Sequence, residues 1–406
     1  MKFPVNSMTE ETAGLQAQYL KRSMQQELNN ILAFWANNTI DETNGGFTGR
    51  ITGSNTRDPF ALKGAVLNTR ILWTFSAACR LLGAPQYRSL AARAWEYIRD
   101  HFIDQQHGGL YWTVDYTGRA VDTKKQVYAI AFGVYACSEY YKATGDAAAR
   151  EMAVSLYHDI RTHARDHSLG GYFEAFTADW QPIADQRLSQ KDANEKKSMN
   201  THLHVLEAWT TLYEIWPQAQ LLEDIQELLD IFSDKIISGE THHLLLFFSD
   251  DWQVKGDTVS YGHDIEAAWL LLEAATVTRN EGLINKFKNL ALQLTAAAQE
   301  GIDSDGGLWY EYEPQQQHLV KEKHWWPQAE AVVGFINAWQ ITQDAQYLQL
   351  ATRNWAFIQQ FILDKQNGEW HWGVDANGHP LQEDKVGLWK CPYHNGRACM
   401  QIMERI

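Results

Sequence analysis

The sequence predicts an all-α fold, an (α/α)6 barrel built from six helix pairs with short β-hairpin excursions. A turn containing glycine, followed by aromatic residues, recurs six times, with 63 residues from Gly45 to Gly108 and 62 from Gly108 to Gly170. Two stretches with helical periodicity usually lie between successive turns, so the repeating unit is a helix pair. The last stretch has the apolar character of an inner helix, which favours a closed ring over an open solenoid with a polar cap.

The six turns share a short glycine-containing sequence and the apolar or aromatic residues that follow it. They are residues 45–47, 108–112, 170–173, 243–248, 306–310 and 367–372, of which the fourth is degenerate. Glycine accepts positive φ at tight turns, and aromatic residues suit short hairpin strands. Turn geometry therefore explains these residues, and the function has to be sought elsewhere.

One helix of each pair follows the turn and is rich in apolar and small residues, which is typical of an inner ring. The predicted inner helices are residues 62–82, 126–144, 200–216, 263–277, 326–341 and 389–403. The other helix carries more charge on its outward positions. These predicted outer helices are residues 87–101, 147–163, 221–237, 281–299 and 345–361, and the N-terminal residues 9–36 supply the sixth.

The chain is predicted to form one domain, residues 1–406. Closed barrels often exceed the usual ~100 to 200 residues per domain, and no Ser/Pro-rich linker divides this chain. The nearest thing to a linker, residues 185–197, has mixed charges and lacks Gly and Pro. We interpret it as a polar excursion between helices.

Composition argues against several classes of function. The 35 Lys and Arg against 50 Asp and Glu give a net charge of −15, which opposes binding to a nucleic-acid backbone. Four scattered cysteines, Cys79, Cys137, Cys391 and Cys399, form no CxxC pair or disulfide framework. The N-terminus has no apolar signal region, and no apolar run is long enough to span a membrane. We therefore expect a cytoplasmic protein, and a monomer.

Aromatic residues are frequent, with 17 Trp and 17 Tyr, and many lie in the turns or at the starts of inner helices. Such rings stack on the apolar faces of sugars, while neighbouring polar groups bind the hydroxyls. Packing in a large core explains any single Trp equally well. The cluster, more than its members, indicates a carbohydrate site.

Two inner segments carry His and Glu three residues apart, as His204 with Glu207 and His263 with Glu266. This spacing puts both side chains on one helix face, where a carboxylate orients an imidazole and raises its basicity. A third histidine, His394, stands between a proline and a glycine near the start of the last inner segment. For each histidine taken alone, a core or surface role remains the alternative.

The histidine spacing does not favour a metal site. His202 and His204 point to different helix faces, His242 and His243 are adjacent, and no HExxH or paired CxxC motif occurs. Neither a GxGxxG nor a Walker pattern follows a strand. We predict that the chemistry needs no metal and no cofactor.

At these positions the chain resembles the N-acylglucosamine 2-epimerase superfamily and, within it, the cellobiose 2-epimerases. The resemblance covers essentially the whole chain and is strongest in residues 63–73 (KGAVLNTRILW), 200–204 (NTHLH), 261–266 (YGHDIE), 325–330 (WWPQAE) and 389–397 (WKCPYHNGR). It implies epimerisation at C2 of the reducing-end sugar of β-1,4-linked disaccharides, cellobiose to glucosyl-mannose and lactose to epilactose. In that reaction the ring opens to an aldehyde, a base removes the C2 proton to give a cis-enediolate, and reprotonation on the other face inverts C2.

The resemblance also implies roles for individual residues. His263 and His394 would be the two bases, since an imidazole with an ordinary pKa of ~6.5 acts as base or acid near neutrality. Glu266 would orient His263, His204 would assist ring opening, and Arg70 would hold the developing oxyanion. The residues implied to bind the sugar are Tyr128, Asn200, Trp326 and Trp389, with Trp389 stacking on the non-reducing unit.

Three other functions remain open. Another member of the superfamily, an N-acylglucosamine 2-epimerase or an aldose-ketose isomerase, would act on a free monosaccharide, the isomerase by reprotonating the same enediolate at C1. An (α/α)6 glycoside hydrolase needs two carboxylates across the scissile bond, and Glu207, Glu266 and Glu330 keep that class open. The third is a non-catalytic sugar-binding barrel.

Overall fold

Six inner helices form a closed ring, and six outer helices surround them. The computed structural model describes residues 10–406. Each inner helix packs against the next, and the last packs against both the fifth and the first. The predicted (α/α)6 barrel is therefore confirmed.

The helices alternate between the two rings along the chain. The outer helices are α1 (Glu10–Asn38), α3 (Pro85–His101), α5 (Ala147–His163), α7 (Ala219–Ile231), α9 (Glu281–Ala298) and α11 (Ala345–Phe357). The inner helices are α2 (Ala65–Leu82), α4 (Val127–Thr144), α6 (Met199–Ile215), α8 (Tyr261–Val277), α10 (Trp325–Thr342) and α12 (Tyr393–Arg405). Because α1 packs against α11 and α12, the N-terminal segment completes the sixth pair as predicted. Residue 9, where that helix was predicted to begin, lies outside the described residues.

The last inner helix differs most from its predicted bounds. It begins at Tyr393 instead of residue 389, directly after Pro392. A proline disfavours helical backbone at the residue before it and suits the first turn of a helix, so the helix cannot extend back through Cys391. Two outer helices, α7 and α11, end in the π-helical turns Phe232–Ile236 and Ile358–Ile362.

Short antiparallel strands connect neighbouring repeats at one end of the ring. They are β1 (Lys63–Gly64), β2 (Thr113–Val114), β3 (Ala120–Asp122), β4 (Lys125–Gln126), β5 (Ala175–Phe176), β6 (Lys197–Ser198), β7 (Phe247–Phe248), β8 (Val254–Lys255), β9 (Val259–Ser260), β10 (Glu311–Glu313), β11 (His318–Val320), β12 (Lys323–His324) and β13 (Gly373–Val374). The pairs β1–β2, β4–β5, β6–β7, β9–β10 and β12–β13 each join the residues before one inner helix to the hairpin before the next. All inner helices therefore start at the same end of the ring.

A buried ion pair between lysine and aspartate closes the hairpin in five of the repeats within residues 10–406. The pairs are Lys63–Asp41 (2.9 Å), Lys125–Asp104 (2.6 Å), Lys197–Asp166 (2.7 Å), Lys323–Asp303 (2.7 Å) and Lys385–Asp364 (2.5 Å). The degenerate fourth repeat has Ser238 and Val259 at these positions and uses a different link, in which His243 Nδ1 lies 2.6 Å from Asp264 Oδ2. This Lys–Asp pattern marks the repeats as regularly as the glycines do.

The tryptophans divide between the core and the open end of the ring. Trp35, Trp209, Trp269, Trp355 and Trp370 are fully buried among the helices. Trp325, Trp326, Trp372 and Trp389 line a cavity at the end where the inner helices start. Within the described part of the chain, no helix combines the length and apolarity needed to cross a bilayer.

Candidate active site

A cavity of about 410 Å³ opens at the end of the ring where the inner helices begin. Ten of its lining side chains come from the first half of an inner helix, and others come from the hairpins and connections. All nine residues predicted for the site line this cavity: Arg70, Tyr128, Asn200, His204, His263, Glu266, Trp326, Trp389 and His394. The structure thus brings together residues from all six inner segments, while their individual roles remain predictions.

His394, in the first turn of α12, is held by a carboxylate of the neighbouring inner helix. Its Nδ1 lies 2.7 Å from Glu330 Oε1. Burial, with the positive charges of Arg70 and Arg397, holds the pKa of His394 well below its usual range, so the ring is neutral near pH 7. A proton on Nδ1, donated to Glu330, leaves Nε2 with a lone pair, as a general base requires.

His263 lies in the first turn of α8, as predicted, but Glu266 does not orient it. Its Nδ1 lies 2.8 Å from Ser260 Oγ, just before the helix, while the Glu266 carboxylate is bound by Arg397 at 2.7 Å. The indole of Trp326 packs beside the ring, with centroids 4.6 Å apart. Burial lowers the pKa of His263 to about 3, and nearby His204 adds to the effect, so this imidazole is also neutral.

The other His–Glu motif does form the predicted pair. His204 Nδ1 lies 2.8 Å from Glu207 Oε2 on α6. Burial lowers the pKa of His204 despite that carboxylate. Burial also opposes ionisation of Glu207, but Arg397 and His204 outweigh it and hold the Glu207 pKa at about 2. The ring of His204 packs against those of Tyr128 and Phe132, at centroid distances of 5.0 and 4.8 Å.

Arg397, on α12, connects its own helix to three other inner helices, and its role was not predicted from the sequence. Its guanidinium bonds Glu266 Oε1 and Glu330 Oε1 at 2.7 Å each and makes short contacts with Glu207 and the Tyr393 hydroxyl. All five residues are buried. Because Glu207 holds His204 and Glu330 holds His394, this one arginine fixes both of the carboxylates that orient those histidines.

Two carboxylates share the Nη2 group of Arg397 and therefore interact strongly. Burial and the charge of Glu330 raise the pKa of Glu266 to about 8, with Arg397 opposing the rise. Burial likewise raises the pKa of Glu330, again against Arg397. The two carboxyl groups with His394 have the composition of a metal site, but the Arg397 guanidinium already bonds both of them, which is unfavourable for a second cation there.

Arg70 contributes a positive charge to the cavity wall. Its Nη2 donates to the Tyr128 hydroxyl at 2.7 Å, and its guanidinium lies over the rings of Phe132 and Tyr393, 4.2 and 4.8 Å from their centroids. Although burial opposes the charge, the surrounding groups raise the Arg70 pKa further, so it stays a cation. Its Nε has no protein partner.

The mouth of the cavity is built from aromatic rings and the polar excursion predicted between helices. Trp389 packs against Trp112 and Tyr128, at centroid distances of 5.8 and 6.0 Å. Residues 186–189, 191–193 and 195 of that excursion also line the cavity. The side-chain oxygen of Asn200, in the first turn of α6, is buried and lacks a protein partner, as expected of a group that binds a ligand hydroxyl.

Some residues in the motif stretches are structural. In three consecutive repeats, the fourth residue of the inner helix accepts a hydrogen bond from a backbone N–H of the preceding hairpin. These bonds are Tyr172 N to His202 Nε2 (2.9 Å), Leu244 N to Asp264 Oδ1 (2.8 Å) and Leu308 N to Gln328 Oε1 (2.7 Å). His202 therefore has no role in the cavity, and burial lowers its pKa to about 4.

The family of this chain follows from comparison with known proteins. The sequence model for N-acylglucosamine 2-epimerase (GlcNAc 2-epimerase) matches residues 45–398. The chain belongs to this family. The resemblance inferred from the sequence motifs is therefore confirmed.

Individual relatives are similar over nearly their full length. A cellobiose 2-epimerase of Bacteroides fragilis is 49% identical over 95% of this chain and 98% of its own. The solved structure of a cellobiose 2-epimerase from Bacillus thermoamylovorans has 38% identity and a TM-score of 0.92, covering 96% of this chain and 100% of that one. A D-mannose isomerase of Marinomonas mediterranea is only 23% identical, over 95% of this chain and 98% of its own.

Proposed function

We propose that this protein is a cellobiose 2-epimerase, which inverts C2 of the reducing-end glucose of β-1,4-linked disaccharides. The observation that carries the proposal is a pair of neutral imidazoles in one cavity, on two different inner helices. The centroid of the Trp326 indole ring lies 4.6 Å from that of His263 and 5.7 Å from that of His394. Two bases explain inversion better than one, because a single base tends to return the proton to the face it left.

In the proposed reaction, the ring of the reducing sugar first opens to the aldehyde, assisted by proton transfer at His204. The free Nε2 of one of the two bases takes the C2 proton, and the electron pair of the C–H bond moves to form the C1–C2 double bond as O1 becomes anionic. While the anionic enediolate is bound, the other base takes up a proton from solvent and delivers it to C2 on the opposite face as the C1 carbonyl re-forms, and the first imidazolium returns its proton to solvent. Arg70 supplies a fixed positive charge for the cis-enediolate oxygen.

The low pKa values of the two bases suit this scheme. In the empty cavity, burial makes an isolated imidazolium unfavourable, so both rings are kept neutral. Removal of the C2 proton creates an imidazolium and an anionic enediolate together, and such a pair stabilises itself strongly in a water-excluded site. The imidazolium charge, which burial disfavours, therefore forms only next to the anionic enediolate.

The geometry does not support a glycoside hydrolase. That chemistry needs a carboxylic acid and a carboxylate facing each other across the scissile bond. Glu207, Glu266 and Glu330 all bond to Arg397. Glu207 and Glu330 in addition bond His204 and His394.

A disaccharide is the preferred substrate class because the cavity offers contacts beyond those around the reacting carbon. Trp389 at the mouth gives a stacking surface for the non-reducing sugar, and the wall formed around Lys191 and Asp192 gives polar partners for its hydroxyls. An N-acylglucosamine 2-epimerase or an isomerase of free mannose would use the same two bases but would not need that outer part.

We further propose that the protein works as a cytoplasmic monomer. The four cysteines are unpaired thiols, which suits a reducing compartment. Light scattering after size-exclusion chromatography tests the monomeric state, and fractionation of the source cells tests the location.

Proton NMR of substrates in deuterated water tests the reaction. With cellobiose or lactose, we expect deuterium at C2 and the appearance of a product with a mannose reducing end. Parallel incubations with mannose and N-acetylglucosamine distinguish the other members of the family. Release of free glucose from cellobiose would indicate hydrolysis, and absence of deuterium from C2 of every sugar would refute the mechanism.

A further inference from the structure

Glu369 is a buried charged residue in an unusual backbone conformation, outside the cavity. It follows Gly368 in the sixth hairpin and has a φ of 63°, in the left-handed region. The equivalent positions of the first three hairpins are Gly46, Gly109 and Gly171, with φ of 60°, 70° and 78°. Glycine adopts this conformation freely, whereas glutamate does so at a cost in free energy, and such strain concentrates at functional sites.

The surroundings of this position also differ in the sixth hairpin. A Cβ on Gly46 or Gly109 would meet the ring of Tyr97 at 2.6 Å or that of Trp180 at 2.9 Å. An aromatic ring thus covers the hairpin in those repeats. In the sixth repeat, the Glu369 carboxylate extends from the same position toward α1 and the start of α12.

That carboxylate gathers three donors from the two ends of the chain. Glu369 Oε1 accepts from Lys390 Nζ and from Asn395 Nδ2, each at 2.7 Å, and Oε2 accepts from Trp35 Nε1 at 2.6 Å. The Glu369 and Lys390 side chains are both 0% exposed. Trp35 belongs to α1, Lys390 lies on the segment that leads into α12, and Asn395 lies in the first turn of α12.

These two donors on the last segment alternate with residues of the active site. Lys390 follows Trp389 and Asn395 follows His394, so the carboxylate holds, through side-chain hydrogen bonds, the residue next to each of these two cavity residues. The stretch between them has no helical hydrogen bonds of its own until Tyr393. A segment with so little internal structure needs external contacts to keep a fixed geometry.

We propose that Glu369, with Lys390, is a positioning residue that sets the location of His394 and Trp389 in the cavity. Neither residue touches the reacting carbon. The carboxylate holds the irregular segment before α12 against α1 and the sixth hairpin, and so fixes the base and the stacking surface relative to the other inner helices. A shift of about 1 Å in such a group lowers a rate by roughly 100-fold.

The test compares three variants with the parent protein. In E369Q, loss of the charge opposite Lys390 should lower kcat for cellobiose about 10- to 100-fold. The double variant E369G/K390M restores the glycine of the other hairpins and removes both buried charges, so it should fold with a melting temperature near that of the parent. Its kcat should nevertheless stay roughly 100-fold low, with a raised KM because Trp389 has also moved.

The matched control is D364N, which breaks the Lys385–Asp364 pair in the same hairpin, whose side chains are 0% and 8% exposed. Lys385 lies in the same connection, but its partners are Asn55, Asp364 and Gly368 and do not include residues 389–395. D364N should therefore lower the melting temperature and leave kcat within about twofold of the parent. A kcat near the parent value in E369G/K390M, at any melting temperature, would overturn the positioning role. Equal losses of kcat in D364N and E369Q would overturn it too.

Because this role presupposes the proposed epimerase reaction, deuterium exchange at C2 separates the two ideas. If the parent exchanges no C2 proton, the proposed function fails. The positioning role can then still be tested by NMR, because E369G/K390M should shift the resonance of the hydrogen-bonded Nδ1–H of His394. If the parent is active, the double variant should keep exchange with the epimer that His263 deprotonates and lose it with the other. Equal exchange losses for both epimers would indicate a general structural defect and refute the proposal.

Discussion

Replacement of Arg397 by methionine tests the charge network beneath the cavity. The methionine keeps much of the apolar volume but leaves Glu207, Glu266 and Glu330 without their shared cation. The arginine side chain is 1% exposed and the three carboxylates are 1 to 4% exposed, so water does not replace the lost partner. Removing one member of a buried ion-pair network costs about 3 to 5 kcal/mol.

This cost translates into a measurable change in thermal stability. An unfolding entropy of ~2.1 cal/mol/K per residue gives roughly 0.85 kcal/mol/K for a chain of 406 residues. The melting temperature of R397M should therefore fall by about 4 to 6 °C at neutral pH. Circular dichroism at a fixed heating rate measures the shift, and R50M, which removes an exposed pair with Asp384, is the control expected to show no measurable change.

The pH dependence of the deficit identifies its cause. Without Arg397, the buried carboxyl groups have folded-state pKa values above their unfolded value of about 4.3. A raised folded-state pKa gives stability that is present at low pH and is lost as pH rises through that pKa. The deficit of R397M should thus be larger at pH 8 than at pH 5. A melting temperature equal to that of the parent, or a deficit that is larger at pH 5, would refute the assignment of Arg397 as the cation that lowers the carboxyl pKa values of this cluster.

Three further predictions follow from the site geometry. H394N and H263N should each lower the rate of epimerisation by at least about 100-fold. Each variant should still exchange the C2 proton of one epimer with deuterium, and the epimer should differ between the two variants. Exchange with both epimers in either variant would contradict the two-base scheme. Because the folded-state pKa of Glu266 is raised to about 8, the parent should lose stability as pH rises from about 4.5 to 8, and urea unfolding of E266Q should show a shallower decline; an unchanged slope would count against the shift. D264N should weaken the link to His243 and lower the melting temperature while kcat stays within about twofold, so a large loss of kcat at unchanged stability would contradict a structural role for Asp264.

The sequence allowed the ring to be predicted from local, repeated signals, whereas Arg70, Tyr128, Asn200, Trp326 and Trp389 were assigned to the site by the resemblance to the family. Turns at regular spacing define six helix pairs, and closure places every inner helix start at one end. Arg70 and His394, far apart in the chain, are brought to one cavity by this topology alone. The helix bounds were least accurate at α12, where a single proline sets the start.

The side-chain contacts between different inner helices could not be predicted from the sequence. The spacing of His263 and Glu266 correctly put both on one face of α8, but the partner of Glu266 is Arg397, 131 residues away. Which carboxylate bonds a given imidazole depends on the charged residues that the neighbouring helix places beside it. A single sequence does not show which residues of different helices lie side by side. A usable clue was present nonetheless: Glu330 and Arg397 are charged residues within apolar inner helices, and such residues are rarely buried without partners.

The closed ring also limits how this architecture can diversify. In an open solenoid, an added repeat finds a free end to pack against, so the number of repeats can vary. Here α1 occupies that place by packing against α11 and α12, and a seventh helix pair would have to widen the ring and separate the inner helices that share Arg397. Changes of substrate range are therefore expected in the connections at the open end, such as residues 185–197, whose length can change without altering the circumference.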